Sequence, residues 1–403
     1  MRVAIIGAGL AGVTTAYELA RQGHDVQVFE RDTSVATGAS FAPPGLIAPA
    51  LLAARPPARL AWRGAPRQLG WRWAHWRARR ASAQQPLPVP SAVLQLAVQG
   101  QALLADWRQA LQLEVEHRSG VLLLWRTAKD YKQAAPLIAR LQAAQLPHRE
   151  LDAAACLALE PGLNPDTRLH GGLHLPQDES ANARQFSQAL KLEAQRLGVR
   201  WQFNAEVLKI EPGSQPSLHL ATGPAQRADA VVLCAGKGAP ALLSPLGIRL
   251  PWGTVHAHTL TAPLRQLEAH PDLGPAATVI DVALGVSMTR LGQRVRIGGG
   301  QELGGTAGQP NGPSMSALHQ AAHDWFPGAL QAGGQQRWKA ARLLLPDELP
   351  VIGASGVPGV WLNLGHGESG WALSGGAAQW LGERLAGRDG GVDASVLEPT
   401  RLR

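Results

Sequence analysis

The chain has 403 residues, more than one hydrophobic core comfortably organises, so two domains are expected. Its apolar share of 45% is that of an ordinary globular protein, no apolar run nears the length of a membrane-spanning helix, and two cysteines exclude a structural zinc site of the usual kind. The formal net charge of +8 is local: between Thr33 and Ala105 there is no Asp or Glu, while Arg55, Arg59, Arg63, Arg67, Arg72, Arg77, Arg79 and Arg80 carry the whole excess.

The first thirty residues are the most informative. An apolar strand over 3–6 runs into Gly7-Ala8-Gly9-Leu10-Ala11-Gly12, a helix follows over 13–22, and a second strand over 26–29 ends on Glu30 and Arg31. This is the order of parts that a dinucleotide needs. Gly7 permits the tight turn, Gly9 lets the backbone approach a pyrophosphate, and Gly12 lets helix and strand pack closely. The helix N-terminus offers N–H groups and partial positive charge to the phosphates. Glu30 is placed to accept ribose hydroxyls and disfavours a 2′-phosphate. A strand beginning at the second residue leaves no room for a leader, and Cys234 within the apolar strand 231–236 reads as a free thiol; both fit a reducing cytoplasm.

An irregular Gly/Pro/Ala stretch over 38–57 leads into the basic segment, where Trp62, Trp71, Trp73 and Trp76 interleave with the arginines. On a helix, Trp62, Leu69, Trp73 and Trp76 form one stripe. Packing of that stripe on the protein's own second domain and contact of residues 55–80 with a membrane surface stand level, and nucleic acid is disfavoured. After a proline linker over 85–91, helices are expected at 92–112, 129–144 and 184–197, with strands at 121–126, 171–175, 200–204, 205–210 and 228–236. From 248 to 301 the pattern changes to successive short strands (254–261, 277–282, 285–290 and 294–299), which predicts an antiparallel sheet. A helix at 315–325, strands at 338–345 and 360–364, and a last helix at 371–388 complete the chain. The expected fold class is α/β plus α+β. A Rossmann-like dinucleotide domain in three pieces (1–80, 145–240 and 335–403) is interrupted by a substrate domain (81–144 and 241–334) whose antiparallel sheet roofs the cofactor.

The later motifs carry a resemblance. They are Gly171-Gly-Leu-His-Leu-Pro-Gln-Asp-Glu-Ser180, the stretch from Asp281 to Gly299, Arg342-Leu-Leu-Leu-Pro-Asp-Glu-Leu-Pro-Val-Ile-Gly353 and Trp361-Leu-Asn-Leu-Gly-His-Gly-Glu-Ser-Gly-Trp371. With the opening glycines, their order and spacing resemble the FAD-dependent oxidoreductases of the D-amino-acid oxidase superfamily, and within it the bacterial D-amino-acid dehydrogenases, over essentially the full length. The resemblance implies non-covalent FAD. Glu30 and Arg31 would hold the adenosine ribose, Ser40 and the Gly45-Leu46-Ile47 backbone the pyrophosphate–ribityl region and flavin edge, Val207 the adenine. Ala235 and Gly236 would close over the dinucleotide. Gly365, Gly367, Glu368, Ser369 and Gly370 would present amides to the flavin's electron-rich edge. Arg342 would pair with the substrate carboxylate, since a planar, permanently charged fork does that best. His366 would line the pocket beside it, as would His256, His258 and Trp371.

The implied reaction is oxidation of a small D-amino or imino acid by hydride transfer to flavin N5, with hydrolysis to a 2-oxo acid and ammonia. The chain departs from the family at Pro43-Pro44 and at His256-Ala257-His258, positions that face the pocket in the family. Ala42 and Ala340 stand where relatives tether flavin, and residues 282–289 contain no lysine of the kind that promotes reaction with oxygen. A quinone or another electron acceptor is therefore expected, with a cytoplasmic location and peripheral contact at the inner face of the cell membrane. Rival readings are a glycine- or sarcosine-type oxidase using O2, a flavin enzyme acting on a glycine-like tRNA modification, and a flavoprotein without turnover. Nothing in the sequence specifies an oligomeric state.

Overall fold

The computed structural model describes residues 1–54, 61–63, 69–83, 85, 87, 89–266, 268, 273–305 and 308–402. Two sheets organise these residues. In the six-stranded sheet the order is Val351–Ala354, Val360–Leu364, Ala230–Leu233, Arg2–Ile6, Asp25–Phe29 and Arg200–Gln202, with every pair parallel except the first. Its central strands Arg2–Ile6 and Ala230–Leu233 are buried on both faces, which explains their near-continuous apolar sequence. Val3, Ile5, Val26, Val28 and Val232 face one way, into a core with the helices Leu10–Arg21, Ser91–Ala110, Ala183–Arg196 and Gly370–Leu385. Ala4, Ile6, Phe29, Val231 and Leu233 face the other, with the small antiparallel sheet of Val207–Glu211, Ser217–Leu220 and Gln226–Arg227.

The second sheet is ten-stranded. Its main path runs Gln336–Leu344, Gly253–Pro263, Arg294–Gly304, Val286–Leu291, Thr278–Asp281, Arg118–Trp125, Gly171–Ser180 and Leu46–Ile47. The expected antiparallel strands between 254 and 299 are all present in it. The helix Gly312–Trp325 packs on one face through Met315, Leu318 and Trp325. The helices Pro49–Ala54 and Ala134–Ala143 cover part of the other beside Val121, Leu123 and Leu173.

Element membership does not follow the expected domain boundaries: Leu46–Ile47, Ala61–Arg63 and Arg149–Asp152 join the roof sheet. Gly171–Ser180 and Gln336–Leu344 also belong to it, whereas Ser91–Ala110 packs in the dinucleotide core. The last contact is close because Gly100 faces Gly376: a Cβ on Gly376 would lie 2.1 Å from the Leu96 carbonyl oxygen. The first helix starts at Leu10, a turn earlier than its apolar spacing indicates, because Gly9 serves as the extended N-cap.

The basic segment forms the helix Leu69–Ala83. Arg55, Arg59 and Arg67 lie outside the described residues, as do the side chains of Trp62 and Arg63. Trp71 is buried against Val255, Leu303 and Leu344 of the roof strands and lies on Gly253. Its ring stacks on His75, whose Nδ1 is 3.0 Å from the Pro346 carbonyl oxygen, and Arg79 pairs with Glu348 at 3.4 Å. Residues 71, 75 and 79 thus form the docked face. Leu69, Trp73 and Trp76 are all more than half exposed on the other, with Arg77 over the Trp73 ring and Arg80 over the Trp76 ring. The expected stripe faces outward there.

Candidate active site

One cavity of about 1240 Å³ runs between the two sheets, from the opening glycine turn to the underside of the roof. That exceeds the ~300–1,000 Å³ typical of sites for small ligands. All the expected cofactor-binding residues except Gly12 and Ile47 border it directly.

At one end Gly7 has φ +101°, and a Cβ there would lie 2.7 Å from the Cys234 carbonyl oxygen; a Cβ on Gly12 would lie 1.9 Å from that of Gly7. Chain packing alone therefore fixes these two glycines. Gly9 differs. Its nearest obstacle would be Ser40 Oγ at 3.5 Å, so the space over it is open to a ligand rather than filled by protein. The Leu10 amide donates to Ser40 Oγ (3.1 Å) at the start of the helix, with Ala11 beside it. Glu30 Oε2 accepts from the Ala8 amide (2.6 Å) and Oε1 from the Asp32 amide (3.0 Å), which locks the carboxylate at the strand end, and Arg31 beside it is exposed. Val207, Ala235 and Gly236 close this end.

Midway, Gly45 has φ +93°, and a Cβ there would lie 2.4 Å from the Ala181 carbonyl oxygen. Leu46 and Ile47 pair with Ser180 and Glu179 and hold this segment as an edge of the roof sheet. Two supports lie inside motif stretches, where the resemblance assigns them no role. Buried Arg296 donates to Thr261 Oγ1 (3.1 Å) and to the Pro43 carbonyl oxygen (3.2 Å), anchoring the Pro43-Pro44 turn; burial pulls its guanidinium down to about 10. Buried Asp178 accepts from the Ala50 and Leu51 amides at 2.9 and 2.8 Å, capping the helix after Ile47, and burial pushes its carboxyl up to about 7. Ala42 and Ala340 border the cavity with no group able to tether a flavin.

At the roof end, Arg342 projects from the same sheet face as its cross-strand neighbour Val255. Its Nη2 donates to Gln301 Oε1 (2.6 Å) and Glu368 Oε1 (2.8 Å), and its Nε is buried without a partner. Gln301 Nε2 also donates to Glu368 Oε1. Gly365 and Gly367, at φ +74° and +57°, turn the loop beneath, and Ser369 begins the helix Gly370–Leu385 with no side-chain cap. Its first-turn amides therefore remain a positive pole at the cavity wall. His366 points its Nε2 at Asn363 Oδ1 (2.7 Å); Asn363 Nδ2 donates to Thr15 Oγ1 (2.9 Å), which donates to the Ala11 carbonyl oxygen (2.6 Å). The chain of donors fixes the His366 proton on Nε2, and burial pulls the imidazole down to about 4, so the ring is neutral.

His256 and His258 also border the cavity. Strand alternation sets them with Lys339, on the face opposite Arg342. His256 Nδ1 lies 2.7 Å from the Gly304 carbonyl oxygen and His258 Nδ1 2.8 Å from that of Gly300, so both rings brace a neighbouring strand. Lys339 pairs there with buried Glu302 at 2.5 Å. Trp371 borders the cavity too, with its ring largely inside the core against Phe186.

The glycine turn, the open space over Gly9, the ribose-side carboxylate and the uncapped helix pole fit FAD along the cavity. Among the described residues no His, Cys, Asp and Glu group could hold a metal ion. Fold and site together define a flavin-dependent oxidoreductase. A sequence model described as FAD dependent oxidoreductase matches residues 2–384. The chain is 35% identical over 416 residues to the D-amino acid dehydrogenase of Cereibacter sphaeroides, covering 98% of this chain and 94% of that one. It is 34% identical to the D-amino acid dehydrogenase of Rhizobium johnstonii, with both chains fully covered. In fold it is similar to glycine oxidase from Geobacillus kaustophilus (TM-score 0.80, 22% identity, 99% of each chain) and to L-proline dehydrogenase from P. horikoshii (TM-score 0.76, 17% identity, 99% and 97%). The chain belongs to the FAD-dependent oxidoreductase family, and FAD is its cofactor.

Proposed function

We propose that the protein oxidises small D-amino acids to 2-oxo acids and ammonia, or small cyclic imino acids to the cyclic imine, and passes the electrons to a quinone or another acceptor. The observation that carries this reading is Arg342, a guanidinium on the roof of the cavity that begins at the dinucleotide turn. Bound FAD supplies the hydride acceptor. The chain's part is positioning: Arg342 orients the substrate by its carboxylate, Gln301 steadies the guanidinium, and the apolar group of Trp71, Val255, Leu303 and Leu344 keeps water from that side. Neutral His366 donates its Nε2 proton to Asn363, which fixes the orientation of the ring. The relatives named D-amino acid dehydrogenase support the choice of substrate and handedness. Anaerobic addition of D-alanine, D-proline, glycine and sarcosine to the yellow holoprotein tests it. Bleaching by D-amino acids is expected, and no bleaching by any of the four would refute it. Fast reoxidation in air with peroxide would mark an oxidase instead.

The exposed Leu69, Trp73 and Trp76, ringed by arginines in a stretch without acids, favour a peripheral site on an anionic bilayer at the cytoplasmic face, where a quinone would be at hand. Cosedimentation with anionic vesicles, lost in a Trp73→Ala/Trp76→Ala variant, is expected. A wild type that never cosediments refutes it.

A further inference from the structure

The residue assigned to the substrate carboxylate already carries a carboxylate of the chain. Glu368 lies 2.8 Å from Arg342 Nη2, and both share Gln301. The pair is uneven: the Arg342 side chain is 19% exposed and that of Glu368 56%. Glu368 rides on a loop turned by Gly365 and Gly367, both at positive φ, so its arm is free to change partners while its backbone stays at the cavity wall. The nearby charges are already matched. Glu348 is held by His75 and Arg79, and Lys339 by Glu302. The charge balance of the substrate end is thus set by Arg342 and Glu368.

We propose that Glu368 is a specificity-determining residue that selects amino acids with a cationic side chain over those with an acidic one; this rests on Arg342 being the carboxylate-binding residue. When a substrate carboxylate takes Arg342, Glu368 loses its partner and stays beside the ligand. A substrate ending in an ammonium or guanidinium supplies a replacement, so pairs are exchanged and none is lost. A substrate with a second carboxylate sets three negative groups around one guanidinium in a partly dry cavity, where like charges repel more strongly than in water. A neutral substrate falls between.

The test is Glu368→Gln, which keeps the shape and removes the charge. In anaerobic flavin reduction, kcat/KM for D-lysine should stay about level, since the pair lost with Glu368 is offset by a freed Arg342, while that for D-glutamate should rise about tenfold, the scale of one half-screened charge pair. A lysine-to-glutamate ratio that stays within twofold of wild type overturns the proposal. Benzoate binding, read from the flavin absorbance of the holoprotein, gives a second measure that needs no turnover. Benzoate should bind about tenfold more tightly to the variant, and equal affinity overturns the proposal. If no amino acid reduces the wild-type flavin, the assignment of the reaction fails, while the benzoate comparison still reports whether Glu368 guards Arg342.

Discussion

Replacing Arg342 tests the site most directly. In the structure its guanidinium is mostly buried, makes two short hydrogen bonds through Nη2 and leaves Nε without a partner. Arg342→Ala removes a charge-assisted, partly desolvated contact to a carboxylate. Truncating one partner of such a pair costs about 2–5 kcal/mol, roughly 30- to 5,000-fold in kcat/KM. Arg342→Lys keeps the charge and loses the planar fork; charge-assisted bonds of about 1.5–3 kcal/mol put its loss at roughly 10- to 150-fold. Most of the effect should fall on KM, because the contact forms on binding and persists through the reaction. Folding should change little, since Glu368 is exposed and an exposed ion pair contributes at most about 1 kcal/mol. The assay is anaerobic stopped-flow bleaching against D-alanine concentration, with FAD content from absorbance and thermal unfolding as controls. An alanine variant that keeps its FAD and stays within threefold of wild-type kcat/KM would remove Arg342 from substrate binding.

Gly45→Ala should fold poorly or lose FAD, because a methyl at φ +93° would be driven to 2.4 Å from the Ala181 carbonyl oxygen; a variant with full flavin content contradicts this. Asp178→Ala should cost about 2–4 kcal/mol by stranding two buried amides, seen as a lower denaturation midpoint. Because burial raises the Asp178 carboxyl to about 7, its contribution is fullest below its unfolded pKa near 4 and is lost as pH rises through 7. Wild type should therefore lose stability relative to Asp178→Asn between about pH 4 and 7 and run parallel to it above that, and parallel curves throughout would refute the assignment. Burial pushes the thiols of Cys156 and Cys234 up to about 11 and 12, so a thiol reagent should label neither until the protein is unfolded.

The dinucleotide end was legible because its signals are local: a strand, a turn, a helix and an acid within thirty residues. Arg342 and the loop from Gly365 were legible only as motifs, with no indication of what they touch. The roles of Gln301, Arg296 and Asp178 were not legible, although the last two lie in motif stretches, since each acts through a partner 41 to 253 positions away. The histidines at 256 and 258 show a different limit. Their alternation was visible, but which face meets the cavity depends on the pairing with Arg294–Gly304, whose register shifts between them. In the basic helix, composition drew attention to Trp73 and Trp76, while Trp71 is the residue that docks, because Gly253 leaves room for its ring.

The order of strands in the parallel sheet has a consequence for biosynthesis. Residues 2–6 and 25–29 leave the ribosome well before the strands that complete their sheet, 200–202, 230–233, 351–354 and 360–364. The tie from Ala11 through Thr15 to Asn363 needs nearly the whole chain. The parallel sheet is therefore incomplete through most of translation, and a nonsense mutation between residues 13 and 351 would yield a fragment with the glycine turn but without a complete sheet beneath the flavin.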